Sequence, residues 1–199
     1  VAKTFGYNAV NGLSAVNDSR VGNQAATNDL TQRLLTLGGL ALNWDAQGNL
    51  SSKSAGDRIT YDAAHRPVRI EHADGSKEEF KYDALGRQFE RSTTVAGTTR
   101  KVTEVSSADH VIAEYVNGTL DREYVWGNDP DELLQIKRDS DANGSLDQAL
   151  YPLTDELDTV HVLTDSSGQP VERYRYESDG KLQAQAPDFS PRDVSLLGN

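Results

Sequence analysis

The sequence predicts an all-β fold, an antiparallel β meander of short hairpins, on three observations. A five-residue pattern recurs: an aromatic, then usually Asp or Asn, then usually Ala, with a turn-permissive residue four places after the aromatic. Between copies, short stretches alternate apolar and polar, the period of a half-buried strand. Turn signals separate these stretches at a spacing of about ten residues, as in a meander.

The copies are Tyr7-Asn8-Ala9-Val10-Asn11, Trp44-Asp45-Ala46-Gln47-Gly48, Tyr61-Asp62-Ala63-Ala64-His65 and Tyr82-Asp83-Ala84-Leu85-Gly86. A more degenerate one is Tyr176-Glu177-Ser178-Asp179-Gly180. Each has a mechanical reading. The aromatic ends a strand, and the Asp or Asn side chain caps a tight turn. The fifth residue takes the left-handed conformation, which Gly, Asn and His tolerate best. One such copy is an ordinary hairpin; five in 199 residues mark a repeat array.

The elements follow in chain order. Residues 1–39 read as a polar N-terminal segment holding an early degenerate repeat and one short helix. That helix would run from Asn28 to Leu37, with Leu30, Leu34, Leu35 and Leu37 on one face and Gly38-Gly39 as its stop. Residues 40–183 read as the repeat array, entered by a strand from Leu40 to Trp44. Arg66-Pro67-Val68-Arg69-Ile70-Glu71 and Lys77-Glu78-Glu79-Phe80-Lys81-Tyr82 alternate as strands, and Asp74-Gly75 turns between them. Asn117-Gly118, the strongest short hairpin signal, separates a strand from His110 to Val116 and one from Leu120 to Trp126. Asp165-Ser166-Ser167-Gly168 joins Thr159 to Thr164 with Pro170 to Tyr176. The last of these, Val171-Glu172-Arg173-Tyr174-Arg175-Tyr176, reads as polar on both sides, with aromatics and aliphatics on one face and the other meeting water. Residues 184–199 hold two Pro and no period, and read as a loose tail.

Composition narrows the function classes. With 31 acidic against 20 basic residues and a net charge of −11, the chain repels nucleic acid on average. No apolar run approaches the length of a membrane-spanning helix, so no membrane insertion is expected. The absence of Cys excludes disulfides, thiolate metal sites and a Cys nucleophile. No Met occurs and the first residue is Val, which reads as a piece of a longer chain.

The sharpest local signal is Asp139-Ser140-Asp141-Ala142-Asn143-Gly144-Ser145-Leu146-Asp147. Asp139, Asp141, Asn143, Ser145 (through its carbonyl) and Asp147 match most of an EF-hand-type Ca2+ loop, with Gly144 at the sharp turn. Leu150 stands where the closing bidentate Glu belongs, and no helix follows. The same residues also describe a hairpin tip whose Asp and Asn cap the turn. No cofactor is required by any motif. The four His (His65, His72, His110, His161) are scattered, and no nucleophile elbow, phosphate loop or dinucleotide fingerprint exists. The sequence therefore predicts no catalytic residues and no enzyme. Aromatics at the repeat register fit a packing ladder between hairpins better than a sugar-stacking platform.

The copies at Tyr61 to Pro67 and Tyr82 to Arg87 resemble the YD repeats of RHS-repeat proteins. A second block, Tyr124-Val125-Trp126-Gly127, then Leu150-Tyr151, then Thr154 through Asp165, is similar to a further segment of that family. It is followed in order by Gly168 and by Tyr174, Tyr176 and Gly180. Asp158 stands where the family usually has Gly, and His161 where it usually has Arg. The family's closing Gly-Arg and Tyr-Asp-Pro signature is absent, so no self-cleavage is assigned. The resemblance implies a segment of the cocoon-like wall of a hollow β-shell, non-catalytic, enclosing or scaffolding a toxin cargo. It implies as partners the rest of the parent chain and its cargo, at a secreted or cell-surface location. The competing function is a cell-surface module of adhesion that binds carbohydrate or protein. Open strand edges add an edge-to-edge homodimer to the expected partners.

Overall fold

The computed structural model describes residues 2–53, 56–177 and 180–197. Among them are eighteen β-strands and no helix. The chain forms two compact units, Val1–Lys81 with Arg91–Thr99, and Tyr82–Glu90 with Arg100–Asn199.

The first unit holds β1 (Lys3–Tyr7), β2 (Leu13–Asp18), β3 (Gly22–Asn28), β4 (Leu34–Leu37), β5 (Leu40–Trp44), β6 (Leu50–Lys53), β7 (Asp57–Tyr61), β8 (Pro67–Glu71) and most of β9 (Lys77–Tyr82). Each pairs antiparallel with the next. Burial alternates along β7, where Arg58 and Thr60 face water while Asp57, Ile59 and Tyr61 are half-buried, whereas β8 is half-buried throughout. β10 (Gln88–Val95) and β11 (Thr98–Ser107) each contribute residues to both units.

The second unit continues the same plan with β12 (His110–Val116), β13 (Thr119–Trp126), β14 (Leu133–Arg138), β15 (Gln148–Thr154), β16 (Val160–Thr164), β17 (Pro170–Tyr176) and β18 (Leu182–Gln185). From β11 to β18, consecutive strands pair antiparallel. Its core is a row of cross-strand partners. Tyr124 lies opposite Ile136, Ile136 opposite Leu150, Leu163 opposite Glu172, and Tyr174 opposite Ala184. Ile136, Leu150, Leu163, Tyr174 and Ala184 are the buried hydrophobic residues of the described chain.

Two expectations are corrected. Residues 28–37 are not helical: Asn28 ends β3, Leu34–Leu37 is β4, and a tight turn lies between. The Asp29 carboxylate accepts from the Thr31 and Arg33 amides at 2.8 and 3.0 Å, and Gln32 is left-handed at φ 65°, so helical propagation stops there. The segment after residue 184 is not a loose tail. Ala184 and Ser195 are buried and Leu197 packs against the core. Glu172 shares the buried face with Tyr174, two residues on, as strand alternation requires.

Candidate functional site

The repeat turns are one device used ten times among the described residues. In each, the amide of residue i donates to the carbonyl of i+4, the amide of i+3 donates back to the carbonyl of i, and residue i+3 has positive φ. This is a type I turn closed by a left-handed residue, the three-residue hairpin loop. In the first unit it starts at Asn8, Asp29, Asp45, Asp62 and His72; in the second, at Asp83, Asp155, Asp165, Glu177 and Ala186. The left-handed residues include Asn11, Gly48, His65, Gly86 and Gly180, at φ 61° to 87°. Ser178 and Asp179 of the fifth sequence copy lie outside the described residues.

Seven of these turns are also capped from within. Asp62 is representative: one carboxylate oxygen accepts from the Ala64 and Arg66 amides at 2.8 and 3.0 Å, and the other from Arg66 Nε at 2.8 Å. Asp83 with Arg87, and Asp29 with Arg33, repeat the arrangement; Asn49 replaces the Arg beside Asp45. Side-chain hydrogen bonds from Arg66, Arg87 and Asn49, joined by backbone amides, hold Asp62, Asp83 and Asp45 below the usual carboxylate range. Asp29 falls to about 2, chiefly through the Thr31 hydroxyl, and Asp155 to about 2, chiefly through His161.

The register aromatics tie each hairpin to the strand before it. Trp44 Nε1 donates to the Leu34 carbonyl at 2.8 Å, and Tyr61 Oη donates to that of Leu50 at 3.0 Å. Tyr176 Oη donates to the Val160 carbonyl at 3.0 Å, so each partner is the first residue of the preceding strand. Trp126 adds the same bond to Val111 at 2.7 Å and stacks on His110 at 4.4 Å between ring centroids. Tyr7 is exposed and Tyr82 half-buried.

A groove of ≈ 580 Å³ separates the turns at Asp45 and Asp62. Its lining is mixed, and its charged groups and imidazole are engaged locally: both carboxylates cap their own turns, and His65 Nδ1 lies 2.8 Å from Asn49 Oδ1. No hydroxyl nucleophile meets a base in this geometry.

The acidic loop joins β14 to β15 and closes on its own backbone. Asp139, almost fully buried, accepts from the Asn143 and Gly144 amides at 3.1 and 2.6 Å. Burial alone would raise its pKa; the Gly144 and Asn143 amides, together with hydrogen bonding to Asp141, outweigh it and hold the carboxyl low. Asn143 Oδ1 accepts from the Ser145 amide at 2.8 Å, and Asp147 takes both the amide and the hydroxyl of Ser140 at 2.8 Å. Asp141 accepts from the Asn143 amide at 3.2 Å. Asp139 and Asp141 thus share the Asn143 amide, while Asn143 and Asp147 are engaged by Ser145 and Ser140. Among the described residues no three His, Asp or Glu side chains gather around a common cation position.

Glu172, Arg192 and Ser195 form a buried polar cluster that sequence reasoning missed. The Glu172 carboxylate is fully buried between the Tyr174 and Ser195 hydroxyls, at 2.6 and 2.7 Å. Burial and the Glu172 carboxylate push the Tyr174 phenol well above its ordinary range. The local sign was its spacing: alternation puts Glu172 on the same strand face as Tyr174 and Tyr176.

Comparison with known proteins agrees with this architecture. A crystal structure of TcdB2-TccC3 matches at TM-score 0.62 and 13% identity, over 94% of this chain and 10% of that one. The Tc holotoxin pore of Photorhabdus luminescens, with a mutant TccC3, matches at TM-score 0.58 and 13% identity, over 90% of this chain and 10% of that one. The chain thus spans about a tenth of the length of these structures. No curated protein sequence matches. The family model for the teneurin YD-shell matches residues 1–191, and the chain belongs to that family as a structural shell segment.

Proposed function

We propose that this chain is a non-catalytic wall segment of an RHS-type shell that encloses or scaffolds a cargo domain of its parent chain, in a secreted or cell-surface protein. One observation carries the reading: the polar and aromatic groups of the repeats are directed at their own backbone. Carboxylates cap turns and indole or phenol donors hold the preceding strand, which builds a wall and leaves no convergent chemistry. The partners are then the neighbouring repeats and the cargo.

The test is limited proteolysis of the intact parent chain. A cargo domain should resist protease there and become sensitive when Leu163→Asp opens the wall. Equal digestion in both proteins overturns the reading. So does specific sub-millimolar binding of this chain on a glycan array, the result expected of an adhesion module.

A further inference from the structure

The turn at Ala186 to Ser190 brings the chain back alongside β18. Gln185 bridges Pro191, and the Arg192 amide donates to the Ala184 carbonyl at 2.9 Å. A further meander strand could start here, yet the chain crosses the unit's buried face. The Leu196 carbonyl accepts from Arg138 Nη1 on β14 at 2.5 Å, and Leu197 packs against the core cluster. At the near end Arg173 holds the turn, its Nε 3.1 Å from the Pro187 carbonyl and its guanidinium 4.4 Å above the Phe189 ring.

Glu172 sits between these anchors. Its carboxylate accepts from the Ser195 hydroxyl at 2.7 Å and the Leu196 amide at 2.8 Å, and pairs with Arg192 Nη1 at 3.4 Å. Only the Tyr174 hydroxyl, at 2.6 Å, comes from Glu172's own strand. A buried carboxylate without partners is strongly unfavourable. Here three of the four partners lie on residues 192–195 and 196, so Glu172 is satisfied when they are docked and hydrated when they leave. Both arrangements satisfy the charge, and partial undocking does not.

We propose that residues 186–197 form a strap that opens and closes on the second unit as a separate piece, and that Glu172 is its lock. Glu172→Gln keeps the shape but removes the negative charge that the Arg192 guanidinium and the Leu196 amide hold, and turns one of its two acceptor oxygens into a donor. The readout is trypsin cleavage after Arg192, with cleavage after Arg122 and Lys137 reporting the meander. In Glu172→Gln the cut after Arg192 should quicken by about tenfold while the other two hold at the wild-type rate. Cleavage after Arg192 at the wild-type rate overturns the proposal. A rise in step with Arg122 and Lys137 overturns it too, because the strap is then no separate piece. If Glu172→Gln does not fold, Ser195→Ala is read on the same bond. A severalfold selective rise supports the lock and no rise removes it.

Discussion

Each unit carries five copies of the same turn, yet the buried hydrophobic residues all lie in the second. Its row of Ile136, Leu150, Leu163, Tyr174 and Ala184 is closed over by the strap at Leu197. In the first unit the described apolar side chains are half-buried or exposed, and Asp18, paired with Arg20 and Lys3, is its buried charge. Repeated hairpins therefore suffice to set strand order and register in both units, while burial is concentrated in one. Local turn chemistry defines the shape, and a second layer across one face supplies the apolar contribution to stability.

The two Trp residues make this contrast measurable, since Trp44 lies in the first unit and Trp126 in the second. Single-Trp variants, Trp44→Phe or Trp126→Phe, let fluorescence report one unit at a time during urea unfolding. The largest effect should follow Leu163→Ala, which empties a site with no solvent exposure and costs about 2–5 kcal/mol at the Trp126 probe. Ile59→Ala, at a half-buried position of β7, should cost about half as much or less at the Trp44 probe. Equal losses would break the contrast between a core-built and a turn-built unit.

A smaller effect concerns the turns themselves. Gly48 has φ +87° and open space where a Cβ would stand, so Gly48→Ala tests backbone strain alone. It should destabilise the first unit by about 1 kcal/mol. His65 holds the equivalent place at φ 61° with a side chain, and His65→Gly relieves that strain while losing the contact to Asn49. The Trp44 midpoint should fall for the first variant and barely move for the second. A matching fall would show that the imidazole, and not the backbone, sets the value of that position.

These positions also show what was legible in the sequence. Turns announced by an aromatic, an acidic cap and a Gly could be read directly, as at Trp44 to Gly48 and Tyr82 to Gly86. The turn at Asp29 was hidden because Asn28 replaces the aromatic and Gln32 replaces Gly, while four leucines imitate a helical stripe. The turn at Ala186 was hidden likewise, with Phe189 at φ 69°. The strap was beyond reach for a different reason. Alternation puts Glu172 on the face of Tyr174, but its strap partners and that of Arg138 lie on residues 192–196, remote in sequence. No short window records which segment will cover them. Local backbone demands leave a local signature; a tertiary polar contact leaves none.

Acid should act on both units, since capped turns occur in both. Asp29 and Asp155 have carboxyls held at about 2, against an ordinary 3.8. A depressed carboxylate pKa contributes stability above the unfolded value, and that stability is lost as pH falls through the folded value. Midpoints at both probes should therefore decline between about pH 4 and 2. Asp29→Asn should flatten the decline at Trp44 and Asp155→Asn at Trp126, because Asn can cap the turn, as Asn8 does, without titrating. A slope unchanged by either variant would place the acid sensitivity outside the turns.

The smallest expected effect is that of calcium on the Asp139 to Asp147 loop. A hard cation needs several oxygens at about 2.3–2.6 Å around one centre. Here those oxygens already have donors: Asp139 is held by two amides, Asn143 caps Ser145, and Asp147 is held by Ser140. Binding would break these hydrogen bonds, and Leu150, which would have to supply the closing carboxylate, is instead buried in the core row. The Trp126 midpoint should therefore stay put in millimolar calcium, whereas Asp139→Ala, which frees two amides, should lower it with or without the metal. A calcium-dependent rise that Asp139→Ala abolishes would show that the loop can exchange its own amides for a cation. The second unit would then owe part of its stability to an ion as well as to its core.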